Sequence, residues 1–220
     1  MTGPNSSQLA ELFDAHAVEL APHLLGCQLT VTTGHGSVTV RLTEVEAYGD
    51  QGEDPGAHSF SGRTARNASL FGPPQHAYVY QSYGIHYCLN LTAHAAGAGG
   101  VLLRAGEVVA GRDLAIDRRG GRDTGAKLLS GPGRLGQGLG IRLGFDGSPV
   151  DVTGNDDAAA PDGGADVSFR LAPATAAPHA VDSGPRVGVS GRGGTAAFPW
   201  RFWIAADPTV SRYRPGKQLR

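Results

Sequence analysis

Cysteine is scarce in this sequence, with Cys27 and Cys88 the only two in 220 residues. Two cysteines so far apart do not suggest a disulfide framework, which favours a reducing compartment. Long apolar runs are also missing, since none reaches the roughly 20 residues that a membrane-spanning helix needs. The first residues lack the basic-then-apolar order of a signal peptide. These absences predict a cytoplasmic protein without a membrane segment.

Positive charge is missing from residues 1–40, which contain no Lys or Arg, and the formal net charge of the chain is −1. This balance argues against a uniformly basic nucleic-acid binder. The charges are segregated, however. Residues 104–142 carry eight basic side chains against four acidic ones, and residues 186–220 carry seven against Asp207 alone. These stretches could form a local face for a polyanion or could be solvated surface charges, and charge alone leaves both readings open.

The length of 220 residues and the apolar content of 40% predict one domain with a core of its own. Residues 1–220 are therefore interpreted as a single domain. Residues 150–182 are acidic and rich in Ala and Gly, and we expect a flexible loop region that contains a short strand from Val167 to Leu171. Residues 207–220 are interpreted as a basic tail.

The amino-terminal pattern predicts one amphipathic helix followed by two strands. Asn5-Ser-Ser-Gln8 resembles a capping box. Beyond Gly26 a short stretch alternates apolar and polar residues, and a clearer strand runs from Val38 to Tyr48. The helix is inferred from apolar residues at helical spacing, namely Leu9, Leu12, Phe13, Leu20 and Leu24.

The strand from Val38 to Tyr48 carries two carboxylates near its end. A period of two would put Glu44, Glu46 and Tyr48 on the same face as the apolar residues of its first half. Burial of an ionised carboxylate is costly unless it is paired, so the pattern suggests a polar pocket at the end of the strand. The alternative is that the strand simply emerges into solvent there, and periodicity alone favours that alternative.

Two β-type segments around Gly84 predict a hairpin with Tyr83 at or near its tip. An exposed aromatic there could wedge between base pairs, as apolar side chains do in proteins that kink DNA. It could also be one of several ordinary strand tyrosines. A further apolar strand, from Val101 to Arg104, ends in a charge, and a buried arginine normally needs an acidic partner.

Residues 49–74 are rich in Gly, Pro, Asp and Ser, which predicts a long ordered loop that carries Arg63 and Arg66. Further along, Gly131 to Gly136 literally fits a dinucleotide-binding fingerprint, with Asp151 at a plausible distance. The following glycines are expected to make a poor helix, and Pro132 removes an amide from the phosphate-binding turn, which argues against that reading.

Two weaker alternatives remain. The segment beginning at Gly131 also resembles a helix-hairpin-helix turn, which would make the chain a different kind of DNA-binding module. A metal site could be assembled from His86, Cys88 and His94, but no second cluster has zinc-like spacing. We therefore expect these to be scattered structural residues.

A series of short motifs runs along nearly the whole chain: Leu25-Gly26, Thr43-Glu44-Val45-Glu46-Ala47-Tyr48, Ala57-His58-Ser59, Gly62-Arg63-Thr64, Arg66-Asn67, Phe71-Gly72-Pro73-Pro74, Tyr78-Val79-Tyr80, Tyr83-Gly84, Cys88-Leu89-Asn90, Val101-Leu102-Leu103-Arg104-Ala105, Leu129-Ser130-Gly131-Pro132, Leu135-Gly136-Gln137, Pro185-Arg186-Val187-Gly188-Val189 and Pro199-Trp200-Arg201-Phe202. Each motif is weak alone, but their ordered sum is specific. The sequence resembles the alkyladenine (3-methyladenine) DNA glycosylase family.

The resemblance implies an activity and a catalytic group. Glu46 matches the family's general base, which deprotonates a water for attack on C1′ of a flipped nucleotide. Arg104 and the backbone at Val189 match the groups that help hold that water. A carboxylate would also stabilise the cation-like sugar that forms as the glycosidic bond breaks.

The resemblance also implies a base pocket and DNA contacts. Tyr48, His58 and Tyr80 match the residues that sandwich the flipped base, and aromatic walls attract a cationic alkylated purine. Asn90 matches the residue that discourages normal guanine, and Tyr83 matches the wedge that fills the vacated stack. The expected contacts to the DNA backbone are Arg63, Arg66 and Arg134.

The expectation is an α+β domain with a curved, mostly antiparallel sheet, flanking helices and a protruding hairpin that inserts into DNA. We expect a monomeric, monofunctional DNA glycosylase that acts on damaged purines in double-stranded DNA and associates with the bacterial nucleoid through that DNA. No metal or cofactor is expected. The matched residues include no lysine, so a lyase step is not expected either. The main alternative is a protein of the same fold that binds damaged or bent DNA without cleaving it.

Overall fold

The computed structural model describes residues 3–121, 123–152 and 166–217. The described part of the chain contains nine strands and four α-helices. In chain order these are α1 (Ser6–Glu11), α2 (Ala17–Leu20), β1 (Gln28–Thr33), β2 (Gly36–Tyr48), β3 (Ala77–Ser82), β4 (His86–Thr92), β5 (Gly100–Ala110), α3 (Arg112–Arg118), α4 (Pro132–Leu139), β6 (Val150–Val152), β7 (Val167–Ala172), β8 (Val181–Gly184) and β9 (Arg201–Ile204).

All of these strands belong to one curled sheet in the order β3-β4-β5-β2-β1-β7-β6, with β9 pairing β2 and β8 pairing β9. Every pairing is antiparallel except that of β6 with β7. The expectation of an α+β domain with a curved, mostly antiparallel sheet is confirmed. In the described ranges, no helix combines the length and the apolar character that a membrane span requires.

Strand β2 changes partner along one of its edges, and this change positions the candidate site. Residues 36–41 pair with β1, whereas Glu44, Val45 and Glu46 pair with β9. The other edge pairs with β5 along almost the whole strand. The end of β2 is therefore enclosed between two strands, where its backbone amides and carbonyls are satisfied and its side chains are held firmly.

The predicted face of the two carboxylates was wrong because β2 is bulged. The pairing with β5 shifts register between Leu42 and Glu44 and again before Val45. After the bulge, Val45 and Ala47 continue the apolar core that the first half of the strand began. Glu44 and Glu46 alternate with them and therefore lie on the opposite face. The reading in which the strand emerges into solvent is also wrong, since both carboxylates have no exposed surface.

The amino-terminal segment is broken where the spacing predicted one helix. The capping box at Asn5 and Gln8 is confirmed, but α1 ends at Glu11 and a 3-10 turn follows. Ala15 then takes an extended conformation, and the His16 ring accepts from the amide of Val18 to begin α2. The predicted apolar positions still reach the core, because short helical turns keep the spacing of the longer helix.

Helix α4 forms where its glycines predicted a poor helix. A side chain at Gly136 would collide with the carbonyl oxygen of Tyr87, and one at Gly138 would collide with Leu129. The glycines therefore let α4 approach β4 more closely than any larger residue would. This packing requirement outweighs their low helix propensity.

The strand predicted at Val167 to Leu171 is confirmed as β7, and β6 lies at the start of the predicted acidic region. Residues 153–165, on which the expected flexibility mainly falls, lie outside the described residues. The predicted basic tail is described as far as residue 217. Its first part is attached to β2, because Thr209 hydrogen-bonds Thr43 and Ser211 hydrogen-bonds Glu44.

Candidate active site

Glu46 is fully buried and accepts hydrogen bonds from three donors. Its Oε1 accepts from the amide of Val187 at 2.6 Å. Its Oε2 accepts from the Tyr48 hydroxyl at 2.9 Å and from Arg104 Nη1 at 3.1 Å. The three donors come from separate parts of the chain and hold the carboxylate in one orientation.

Arg104 lies between two carboxylates, which confirms the expectation that a buried arginine here has an acidic partner. Its Nε donates to Glu44 Oε1 at 2.8 Å, and its Nη1 reaches Glu46. Arg201 donates to the same Glu44 oxygen, also at 2.8 Å. Burial alone would raise the pKa of Glu44, but Arg104 and Arg201 outweigh it and lower that pKa below its usual value.

Glu44 is joined to Glu46 through Arg104, and the sequence pattern assigned it no role of its own. Besides the two arginines, it accepts from the backbone amide of Ser211 at 2.6 Å and from the Ser211 hydroxyl at 2.9 Å. This carboxylate fixes one side of Arg104, so that the other side is directed at Glu46. The clue in the sequence was the pair of carboxylates two residues apart, but the partner at Ser211 is far away along the chain.

A pocket of about 630 Å³ opens beside this network. Most of the residues predicted for the site line it together: Tyr48, His58, Arg66, Tyr80, Tyr83, Asn90, Arg104 and Val189. Three predicted residues lie outside this lining: Arg63 and Arg134 are exposed, and Glu46 is fully buried next to the lining residues Tyr48 and Arg104. The residues predicted for the base pocket therefore line one cavity. Two of the three arginines expected to contact the DNA backbone lie outside it.

Aromatic rings form one wall of the pocket. The ring centroids of His58 and Tyr80 lie 4.6 Å apart in an edge-to-face arrangement, and those of Tyr78 and Tyr80 are stacked at 5.6 Å. His58 Nδ1 is 3.0 Å from the Tyr78 hydroxyl. Burial raises the pKa of Tyr78 to about 12, and burial also raises that of Tyr80. Desolvation and the nearby Arg66 charge lower the pKa of His58, so this wall is uncharged at neutral pH.

Two buried asparagines fix the shape of the wall. The Asn90 amide donates to the Tyr78 carbonyl at 3.0 Å. Asn67 donates to the carbonyl oxygens of His58 at 2.8 Å and Gly62 at 3.0 Å, and its own oxygen accepts from the amide of Thr64 at 2.6 Å. Asn67 therefore folds the loop that presents His58, a role that its place in a motif did not reveal.

The Tyr83 side chain is 90% exposed at the turn between β3 and β4. The two strands pair antiparallel up to Ser82 and His86, so the turn projects beyond the last pair. Tyr83 itself has a φ of 50°, a left-handed conformation that is uncommon outside glycine. The hairpin with Tyr83 near its tip has the predicted geometry, whereas its insertion into DNA stays a prediction.

The residues expected at the DNA backbone differ in their surroundings. Arg63 and Arg66 are exposed on the long loop, and Arg66 donates to the Gln81 carbonyl at 3.2 Å. Arg134 is exposed at α4, where it forms an ion pair with Asp123 at 2.7 Å. The Arg134 charge is therefore partly compensated within the protein.

The backbone near Val189 lies at the pocket, and its expected role in holding a water stays a prediction. Val189 lines the pocket, but its carbonyl oxygen lies against Gly194 and Gly216. The amide that contacts Glu46 belongs to Val187. The segment from Val187 to Val189 is therefore at the site, with its described contact to Glu46 made by Val187.

A larger groove of about 1070 Å³ lies elsewhere, beside α3, α4 and the β1–β2 turn. Its lining contains neither Arg104 nor the predicted base-pocket residues Tyr48, His58, Tyr80 and Asn90, and it consists mainly of solvent-facing residues. Across residues 3–121, 123–152 and 166–217, no three His, Cys, Asp or Glu side chains form a group that could hold a metal ion. The pocket at Glu46 is therefore the better candidate for the site of chemistry.

Known proteins are similar to this chain over nearly its whole length. The family model for methylpurine-DNA glycosylase matches residues 11–208. A Streptomyces avermitilis protein is 45% identical over 216 residues, covering 97% of this chain and 95% of that protein. A Leifsonia xyli protein is 44% identical over 209 residues, covering 93% and 91%. A Corynebacterium efficiens protein is 48% identical over 199 residues, covering 89% and 92%.

All three relatives carry a provisional name as 3-methyladenine DNA glycosylases. The family model and these relatives span nearly the whole chain, including every residue of the pocket described above. The chain therefore belongs to the methylpurine-DNA glycosylase family and is by class a DNA N-glycosylase.

Proposed function

We propose that this protein flips a damaged purine out of double-stranded DNA and hydrolyses its N-glycosidic bond, with Glu46 as the general base. The observation that carries the proposal is a buried carboxylate, held by three donors, beside a pocket with aromatic walls. A general base has to be fixed within hydrogen-bonding reach of the proton that it removes. The network around Glu46 provides that fixation before substrate binds.

The hydrogen-bonding capacity of Glu46 leaves room for a water. A carboxylate has about four acceptor positions on its two oxygens. Tyr48 and Arg104 use two positions on Oε2, and Val187 uses one on Oε1. The described residues leave one position on Oε1 unused, and we assign it to a proton of the attacking water.

The proposed reaction needs no group beyond these. Glu46 takes a proton from water as the water oxygen forms a bond to C1′ of the flipped nucleotide. The bond between C1′ and the purine nitrogen breaks, and its electron pair goes to the leaving base. A purine alkylated at N3 or N7 departs as a neutral molecule, and the negative carboxylate stabilises the cation-like sugar. General-base help of this kind is typically worth roughly 10²–10⁴-fold in rate.

The pocket wall suits a flipped alkylated base. The rings of Tyr48, His58 and Tyr80 offer faces and edges for stacking, and stacking on aromatic side chains is a usual way to hold an extruded base. The lowered pKa of His58 keeps its imidazole neutral, so it does not repel a cationic purine. Asn90, fixed by its bond to Tyr78, limits the space beside the base.

The exposed hairpin supplies a way to open the stack. Tyr83 would enter the minor groove and occupy the place of the extruded nucleotide, as apolar wedges do in proteins that kink DNA. Arg63 and Arg66 lie exposed on the loop that also presents His58, where they could contact phosphates. The proposed partner is therefore duplex DNA that contains a damaged purine.

The test is release of free base from a duplex that contains 3-methyladenine or 7-methylguanine, under single-turnover conditions. Glu46→Gln keeps the size of the side chain and removes its basicity, and we expect its rate to fall by about 10²–10⁴-fold. The matched control is Glu107→Gln, which changes a carboxylate paired with Arg41 at the surface. Base release by Glu107→Gln should equal that of the unaltered protein.

Two outcomes would reject the proposal in different ways. Equal release by Glu46→Gln and the unaltered protein would remove Glu46 as the base. Tight binding of the damaged duplex without any base release by the unaltered protein would leave a non-catalytic binder of damaged DNA.

A further inference from the structure

Arg186 is the largest fully buried side chain of the described residues, and it packs against Tyr48, a residue that lines the base pocket. Its two terminal nitrogens donate to the two carboxylate oxygens of Asp54, at 2.5 and 2.6 Å. They also donate to the carbonyl oxygens of Ala47 at 2.9 Å and Gly193 at 2.7 Å. The guanidinium therefore fills a complete cradle of acceptors inside the protein.

Two glycines, Gly56 and Gly193, leave the space that the Arg186 guanidinium occupies. A side chain at Gly56 would come within 2.6 Å of Arg186 Nη2, and one at Gly193 would meet the same atom at 3.2 Å. Asp54, which faces Arg186, is itself fixed by the amides of Gly49 and Gly56. Both members of the ion pair are thus held in place by the backbone around them.

The Arg186 guanidinium also covers one face of a pocket residue. Its central carbon lies 4.5 Å from the centroid of the Tyr48 ring. Tyr48 lines the pocket, whereas Arg186 has no exposed surface and is not among the lining residues, so the guanidinium covers a ring face that is closed to the pocket. A base stacked on Tyr48 would therefore share that ring with a buried cation.

We propose that Arg186 determines specificity through Tyr48, by reducing the preference of the pocket for cationic over neutral purines. The inference rests on the proposed function, because it requires a flipped base to stack on Tyr48. The chemical class of ligand it favours is a purine without a formal positive charge.

The physical reason is that one aromatic ring cannot attract two cations with full strength. The electron-rich face of a tyrosine attracts a cation mainly by electrostatics. A guanidinium behind the ring draws electron density toward itself and also repels a second positive charge through a medium of low dielectric constant. A neutral purine is stacked without that penalty.

Asp54 sets the strength of this effect. The carboxylate compensates the charge of Arg186, but it binds the terminal nitrogens, while the ring of Tyr48 lies over the guanidinium itself. Burial and Glu46 raise the pKa of Tyr48, whereas Arg186 acts in the opposite direction and lowers it.

The experiment compares binding of two DNA duplexes that differ in the charge of one base. One contains 7-methyladenine on a 2′-fluorinated sugar, where the fluorine suppresses cleavage and the base stays cationic. The other contains 7-methyl-7-deazaadenine on the same 2′-fluorinated sugar, and this base has the same shape and no charge. The measured quantity is the ratio of the two dissociation constants, neutral over cationic, for the full-length protein.

Three variants alter the buried Arg186–Asp54 ion pair in different ways: one removes both charges, one removes only the negative charge, and one keeps both. Arg186→Gln combined with Asp54→Asn removes both charges, and we expect the ratio to rise roughly threefold to tenfold. Asp54→Asn alone leaves the guanidinium uncompensated, and the ratio should fall. Arg186→Lys keeps a cation behind the ring, and the ratio should stay within about twofold of the unaltered value.

The matched control is Arg41→Gln, which removes an arginine of another ion pair at Glu107, outside the pocket. It should leave the ratio unchanged. If the double variant and Asp54→Asn weaken binding of both duplexes by the same factor, Arg186 is only a structural support and the proposal is overturned. If the double variant does not fold, Asp54→Asn decides, because its ratio must fall while that of Arg186→Lys, which keeps the charge, must not. Unchanged ratios would not affect the assignment of Glu46, which is tested by base release.

Discussion

Two regions of the candidate site are built in opposite ways. We call the buried residues Glu44, Glu46 and Arg104 the floor, and the turn between β3 and β4 that carries Tyr83 the tip. At the floor, Glu44 and Glu46 are fully buried, and hydrogen bonds from strands and from the carboxyl-terminal segment hold them. At the tip, Tyr83 is 90% exposed. Chemistry requires groups that are fixed before the substrate arrives, whereas entry into a base stack requires an apolar group that is available at the surface. The comparison predicts that the two regions fail differently when they are altered.

The largest effect is expected from the floor, at Glu44. Glu44→Gln would leave Arg104 and Arg201 buried beside a neutral partner. Breaking such a buried pair typically costs about 3–5 kcal/mol, so we expect the free energy of unfolding in urea to fall by that order. The rate of base release should fall roughly tenfold or more, because Arg104 loses the contact that directs it to Glu46. Glu107→Gln, at the surface, should change stability by less than about 1 kcal/mol. Equal effects of the two variants would contradict the account.

The sequence alone predicted much of this floor. The strand from Val38 to Tyr48 was located nearly to its ends, and the need of Arg104 for an acidic partner followed from the cost of burying a charge. The face of Glu46 was wrong because a single bulge reverses the side-chain alternation, and a bulge leaves no reliable mark in the pattern. Contacts at Ser211 and Val187 could not be foreseen because they join residues more than a hundred positions apart.

The hairpin that carries Tyr83 was easier to predict than the long-range contacts that hold the pocket residues in place. A glycine between two β-type segments indicated the hairpin, and the exposure of Tyr83 follows from its place in a short turn. The role of Asn67 in holding the His58 loop depends on the three-dimensional path of that loop. The ion pair of Asp54 with Arg186 joins two distant segments in the same way.

A fall in pH should lower the free energy of unfolding through the carboxylates of the floor rather than through the tip. The folded-state pKa of Glu44 is lowered, so its ionised form contributes stability above its unfolded pKa. That contribution is lost as the pH falls through the lowered folded pKa, and Asp207, whose pKa is also lowered, acts in the same direction. We expect the free energy of unfolding to fall below about pH 4.5, the ordinary value of a glutamate. In Glu44→Gln this decline should be smaller, and an identical decline in both proteins would exclude Glu44 as its source.

At the tip, Tyr83→Ala should weaken binding and leave stability intact. Stacking of an aromatic side chain in nucleic acid is worth about 1–3 kcal/mol, so the dissociation constant for a damaged duplex should rise by roughly tenfold. The free energy of unfolding should change by less than about 0.5 kcal/mol, because the side chain is exposed. Tyr83→Phe is the matched control, and it should bind almost as well as the unaltered protein. A large loss of stability in Tyr83→Ala would show that the tip belongs to the fold.

The smallest effects are expected at the outer arginines. Arg66→Gln should weaken binding several-fold and reduce the salt dependence of the affinity by about one phosphate contact. Arg134→Gln should have a smaller effect, less than about twofold, because Asp123 already compensates its charge. Titrations at several salt concentrations would rank the two. A larger effect at Arg134 would mean that DNA displaces Asp123 from it.

The most direct test of the account measures binding and chemistry separately for one variant of each region. For Glu46→Gln and Tyr83→Ala, the dissociation constant and the single-turnover rate of base release are determined with the same damaged duplex. The account predicts that Glu46→Gln loses at least about 10²-fold in rate with binding within threefold, whereas Tyr83→Ala loses mainly affinity. Parallel losses of rate and affinity in both variants would contradict the division of work between floor and tip.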